Sequence, residues 1–266
     1  MHLPACNVEE QPEVLHQFIR ENPLGILTTA IKSETHPFLQ SSHIPWVVDS
    51  DFEGSKVGLG RLRGHVARQN PQAKAIIDSL ADASTSSSTT YLTDDVLILF
   101  NGPVHHYLTP KFYTQTKPST GKTVPTWDYE AVQVYGRAKI FFDTKSPEFG
   151  AYLATQLHDL SQHCETSIMG FGKDETSHPW QVSDAPESYV ELLKKNIIGI
   201  EIEITSMAGR FKWSQEKLKG DRDGVIKGFK EMGGVIAPQL SEKVAHRAAL
   251  FDAEKAEAKA KKIQSS

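Results

Sequence analysis

Residues 64–71 read Gly-His-Val-Ala-Arg-Gln-Asn-Pro, where a predicted strand gives way to the start of a helix. Amide N–H groups at a helix N-terminus attract anions, and Gly64 permits close backbone approach. His65 adds a donor, and Arg68 adds a planar fork suited to phosphate. A well-capped helix with an exposed arginine accounts for the same residues, and composition alone leaves both readings open. Residues 41–45 (SSHIP) fall within a predicted strand. Ser41, His43 and Pro45 would then share one face, and Ser42 and Ile44 the other. Polar residues on both faces suggest that one lines a polar site; the plainer alternative is a structural histidine. Residues 124–129 (VPTWDY) are the densest aromatic-polar cluster. There Trp127 and Tyr129 can stack on a planar ring while Thr126 and Asp128 reach its polar edge. The alternative is a loop entering a strand with two core aromatics.

Other chemistries find no support. Residues 58–64 spell GxGxxxG rather than GxGxxG, and the next acid, Asp78, falls in a predicted helix, so no dinucleotide fingerprint forms. His105 and His106 are neighbours on a strand and point apart, while His158 and His163 miss the i, i+4 spacing of a helical metal pair. HExxH, zinc-finger and GxSxG patterns are missing. No residue set resembles a dedicated acid–base pair, and no catalytic side chain is assigned; His43 and Tyr129 are the ones to test. A formal net charge of −4 gives no bulk drive toward nucleic acid or an anionic membrane. Cys6 and Cys164 are too few for a disulfide framework and read as free thiols. Residues 1–20 lack a secretory pattern, and the longest apolar stretch, near 96–100, is too short to span a bilayer. A cytoplasmic location is the expectation.

The elements that must position these residues follow from periodicity. Residues 9–21 have a helical pattern closed by Asn22-Pro23. Strands are expected at 25–31, at 38–48 with Pro45 marking an edge or bulge, at 57–63, and at 96–100 and 104–108 about a tight Asn101-Gly102 turn. Further strands are expected at 131–142, with a bulge at Gly136, and at 197–204. Helices are expected at 65–80, at 146–162 capped by Ser146, near 185–195, and at 221–232. Residues 49–56 read as an acidic turn, 83–90 (ASTSSSTT) as a flexible surface insertion, and 109–126 as a long structureless loop carrying Lys111. Strands joined by short turns with helices inserted give an α+β class with antiparallel pairing. One domain over 1–240 is expected, followed by a polar, solvated helical tail over 241–266.

Six stretches together resemble the PaiB-type family of FMN-binding split-barrel proteins, often described as transcriptional regulators. They are NPLGILTT (22–29), SSHIP (41–45), GHVARQNPQ (64–72), VLILFNGP (96–103), VPTWDYEAVQVYG (124–136), and KWSQEK with DRDGVIKGF (212–217, 221–229). The resemblance implies a six-stranded antiparallel split β-barrel of the pyridoxamine-phosphate-oxidase-like kind, with flanking helices, forming a homodimer with flavin sites at its interface. Carried over by position, Ser41, Ser42 and His43 would border the isoalloxazine or ribityl chain. His65, Val66, Ala67 and Arg68 would hold the phosphate, with Asn70 bracing the turn. Thr126, Trp127 and Tyr129 would contact the flavin from the same or the neighbouring subunit, and Lys111 lies where the family places polar contacts. Asp128 stands where the family commonly has Asn, and a carboxylate cannot donate to a flavin carbonyl. Residues 83–90 and 114–122 lengthen two loops beyond the bacterial pattern, either covering a substrate or decorating the surface. The implied function is an FMN-binding flavoprotein with oxidoreductase capacity toward a small organic or nicotinamide partner. The alternatives are a flavin- or redox-responsive transcriptional regulator and, by analogy with other split barrels, a haem-binding protein.

Overall fold

Pro12 opens the first long helix, because its fixed φ and missing N–H suit the first helical position. The computed structural model describes residues 1–51, 58–83, 90–174 and 176–264. In chain order the elements are β1 (Val8–Glu9), α1 (Pro12–Glu21), β2 (Leu24–Ala30), β3 (Leu39–Pro45), β4 (Val47–Asp49) and β5 (Arg61–Ala67). Then come α2 (Pro71–Ala83), β6 (Val96–Asn101), β7 (His106–Leu108), α3 (Thr116–Thr120), β8 (Thr126–Phe141) and α4 (Pro147–His163). The chain continues through α5 (Glu187–Lys194), β9 (Ile197–Lys212), α6 (Lys219–Met232) and α7 (Ala237–Gln264). This is the α+β, split-barrel class expected, although the antiparallel sheet has nine strands among the described residues rather than six.

The chain packs as two compact units, and β8 and β9 contribute residues to both. The larger comprises Gln11–Phe100 and Gln133–Met207. Its sheet runs β3-β2-β6-β8-β9-β5-β4. Alternation along β9 buries Ile198, Ile200, Ile202 and Ile204, which pack with a core that includes Leu15, Ile19, Leu27, Ile98 and Phe100. Pro45 divides the expected single strand at 38–48 into β3 and β4, since a residue without an N–H cannot continue the ladder. Ser146 caps α4, accepting from the Glu148 N–H at 3.2 Å.

The smaller unit comprises Met1–Glu10, Asn101–Val132 and Ala208–Ser266. Here β1 pairs with β9 (Val8 opposite Arg210) and β7 with β8 (Tyr107 opposite Trp127). Its core includes Leu108, Val132, Phe211, Trp213, Val225, Phe229, Leu240 and Val244.

Several sequence expectations are corrected. The helix expected from residue 65 begins at Pro71, and His65, Val66 and Ala67 end strand β5 instead, paired with Gly199, Ile198 and Ile197. Asn101-Gly102 does not close a hairpin, because β7 pairs with β8; the Gly102 N–H donates to the Glu130 carbonyl at 3.0 Å. Gly136 lies within β8, where a Cβ would collide with the Glu203 main chain. The long loop at 109–126 is structured: Pro110–Phe112 form a 3-10 turn, and α3 follows. Asp221, buried at the start of α6, accepts the main-chain N–H groups of Gln115 and Thr116 at 2.8 and 2.9 Å and so pins that segment. Helix α7 starts at Ala237, and its first turns are packed rather than solvated. Leu240 and Val244 are buried, and Asp252 accepts both ends of the Arg222 fork at 2.9 and 2.7 Å. The insertion at 83–90 and the turn at 49–56 fall mostly outside the described residues.

Candidate functional site

In the larger unit, β3 alternates as its sequence implies. Ser41 and His43 are exposed, Ser42 is half-buried and Ile44 is buried. The Ser41 and Thr28 hydroxyls are 2.8 Å apart. On the other face the Asn70 Nδ2 donates to the Ser42 Oγ at 2.9 Å, while the Asn70 Oδ1 accepts the Gln72 N–H at 2.8 Å. Asn70 thus caps α2 and ties that cap to β3. The cap occupies helix-terminal donors that the sequence had offered to an anion.

The end of β5 supplies other donors. Arg68 N–H bonds to the Asn196 carbonyl, so by alternation Gly64 and Val66 turn their main-chain groups toward β9. His65 and Ala67 turn theirs the opposite way, and pairing with β4 has already ended at Arg63. The N–H groups of His65 and Ala67 therefore lie outside the ladder. The His65 Nδ1 donates to the Gln156 Oε1 at 2.8 Å, and burial pushes the imidazole pKa down, against the pull of that bond.

Arg68 is committed in part. Its Nη2 donates to the Phe142 carbonyl at 2.6 Å and the Ile197 carbonyl at 3.4 Å, and its Nε to the Lys195 carbonyl at 3.3 Å. The guanidinium thus ties together the end of β8, the end of α5 and the start of β9. Nη1 makes no hydrogen bond among the described residues. Beneath this edge, buried Arg63 grips Asp49 by two bonds of 2.7 and 2.8 Å and Asp159 by one of 2.8 Å. Burial would raise both carboxyls, but hydrogen bonds outweigh it and hold them below the usual range: Arg63 and Arg61 for Asp49, and His158 and Arg63 for Asp159.

In the smaller unit, Trp127 is 52% exposed, its ring centroid 5.8 Å from that of His105 and 6.4 Å from that of Tyr107. Tyr129, two residues on, shares its face, with the Arg210 guanidinium carbon 5.6 Å from the ring centroid. Asp128 points the opposite way and is fully buried, so it does not reach the edge of a ring stacked on Trp127. Both of its oxygens accept from the Ser214 Oγ at 3.1 Å, and the Lys212 Nζ lies 3.6 Å away. Burial pushes Asp128 up to about 6, overcoming Lys212 and Ser214, and burial also lowers Lys212. Both shifts disfavour charge, so desolvation outweighs the attraction between the pair. The half-buried Thr126 accepts from Lys212 through its hydroxyl at 2.8 Å. Lys111 is exposed beside an open groove lined by Phe112, Thr114, Lys227 and Glu231.

Sequence reading assigned no role to Gln156, Arg210, Lys212 or Ser214. Lys212 and Ser214 lie within the KWSQEK stretch, which was the available signal; Gln156 sits on a helix with nothing local to mark it. Among the described residues no group of His, Cys, Asp and Glu could hold a metal ion, and no helix is long and apolar enough to cross a membrane.

The residues fit a flavin mononucleotide in kind. Hydroxyls, an imidazole, strand-end N–H groups and the Arg68 guanidinium suit a phosphate and a polyol, and the exposed Trp127 face suits a planar ring.

An uncharacterized protein of Aspergillus fumigatus is 54% identical over 259 residues, covering 95% of this chain and 99% of its own. The Bacillus subtilis "Protease synthase and sporulation protein PAI 2" is 24% identical over 242 residues, covering 91% and 95%. Among solved structures, the flavocytochrome Anf3 of Azotobacter vinelandii aligns with a TM-score of 0.43 at 12% identity, covering 79% of this chain and 72% of its own. The family model described as "Putative FMN-binding domain" matches residues 1–206. The chain belongs to that FMN-binding-domain family, as its PaiB-type motifs indicated.

Proposed function

We propose that the chain is an FMN-binding flavoprotein with oxidoreductase capacity toward a small organic or nicotinamide partner. The observation that carries this is the family match over residues 1–206. Bound flavin would supply the redox chemistry. The protein's part is to bind and orient. His65, Ala67 and Arg68 offer N–H donors to a phosphate. Ser41, Ser42 and His43 offer hydroxyl and imidazole groups to a ribityl chain, with Asn70 holding Ser42 in place. Trp127 and Tyr129 offer their rings to the isoalloxazine, and Lys111 is an outlying donor. Val66 and Thr126 enter through their positions in the strands rather than through free donors.

A homodimer with flavin at its interface accompanies this proposal, and sedimentation of the purified protein with and without FMN tests it. Flavoprotein chemistry is preferred over operator binding because the net charge of −4 gives no general attraction for DNA. The test of the main proposal is to purify the protein, denature it, and identify the molecule released. FMN in the supernatant is expected. A protein that releases no flavin and takes up none on incubation with FMN overturns the proposal.

A further inference from the structure

Lys212, Asp128 and Ser214 lie behind the exposed aromatic face of Trp127. Lys212 is the last residue of β9, and its ammonium donates to the Thr126 Oγ1 at 2.8 Å and the Trp127 carbonyl at 2.5 Å. It therefore holds the first two residues of β8 at the point where that strand begins. The ammonium is anchored from behind by the Asp128 carboxylate 3.6 Å away. Asp128 is anchored in turn by the Ser214 hydroxyl, and both of those residues are fully buried. Ser214 adopts φ +59°, the only positive value for a non-glycine residue among those described. Such a conformation persists only where the surroundings over-determine it, and here it coincides with the two bonds to Asp128.

We infer that Lys212 is a positioning residue: through the Thr126 hydroxyl and the Trp127 carbonyl it fixes the main chain from which the Trp127 ring projects toward a flat heteroaromatic ligand. The inference rests on the flavin reading for the identity of that ligand, but the fixing itself does not depend on it. A lysine held by a buried carboxylate and bonded to a carbonyl and a hydroxyl restrains the main chain that carries the ring. Arginine could keep a charge and donors at this position, whereas methionine would keep the volume and lose both.

The test compares wild type, Lys212→Met and Lys212→Arg by hydrogen exchange over residues 126–129 in flavin-free protein, and by titration with FMN followed by visible circular dichroism. In Lys212→Met, exchange over 126–129 should accelerate by about tenfold, the effect of losing a charged hydrogen bond. FMN affinity should fall by a similar factor with an altered flavin dichroism, and Lys212→Arg should restore much of both. Unchanged exchange in Lys212→Met overturns the inference whatever the flavin result. Faster exchange in a protein that binds no FMN sustains the restraint and overturns the flavin reading instead.

Discussion

The Ser214 hydroxyl lies 3.1 Å from each oxygen of the Asp128 carboxylate, with both residues sealed from solvent. One hydroxyl and one ammonium do not compensate for removing a carboxylate from water, which is why Asp128 is pushed up to about 6 from an ordinary 3.8. The folded state thus holds a proton that the unfolded state has released between those two values. Stability contributed by this group is full below the unfolded value and is lost as pH rises toward 6. The size is on the order of 2–3 kcal/mol. Denaturant unfolding of wild type and Asp128→Asn at pH 4.5 and pH 7 isolates it: the variant should lose less stability, or gain some, between the two. Parallel profiles would contradict the assignment.

His65 acts with the opposite sign. Burial lowers its folded pKa, so its contribution is lost as pH falls below the unfolded value near 6.5. His65→Gln should remove that part of the acid limb. A two-dimensional NMR titration should show the ring's midpoint below 6.5; a midpoint at or above that pH contradicts the lowering by burial.

Arg63 should be the costliest polar residue to remove in the larger unit. Its loss leaves Asp49 and Asp159 without the fork that holds them, and Arg63→Met should destabilise by about 3 kcal/mol in urea unfolding. A change below about 0.5 kcal/mol would show that solvent already screens the network.

The role proposed for Arg68 makes two demands on one side chain. Arg68→Ala should weaken FMN binding by about 1–3 kcal/mol and also loosen the carbonyls of Phe142, Lys195 and Ile197. Arg68→Lys keeps the charge but cannot span those carbonyls, so it should recover part of the affinity and little of the stability. Equal FMN affinity in all three proteins places the phosphate elsewhere.

Trp127→Ala separates binding from folding. The residue is about half exposed, so the cost to stability should stay at about 1–2 kcal/mol without loss of the fold, while FMN affinity should fall by about 1 kcal/mol through lost stacking. Undiminished affinity would remove the ring from the site.

Much of this was legible from residue order. Alternation in SSHIP placed Ser42 and Ile44 on one face and Ser41 and His43 on the other, and Pro12, Asn22 and Ser146 marked helix ends through backbone rules that need no tertiary context. The end of β5 was not legible. His65–Ala67 carry no β-branched run and precede a helix, and only pairing with Ile197–Gly199, some 130 residues away, keeps them extended. The burial of Asp128 was equally hidden. A strand beginning at Thr126 rather than Ala131 decides which way that carboxylate points, and the strand start depends on β7 pairing. At Gly136 the sequence shows a missing side chain but not the neighbouring main chain that requires it to be missing.

Fluorescence titration of flavin-free protein with FMN, and in parallel with riboflavin, tests the central claim most directly. The account predicts saturable quenching by FMN, and riboflavin weaker by about tenfold or more because it lacks the phosphate that the strand-end donors would hold. Absence of saturable FMN binding would contradict it.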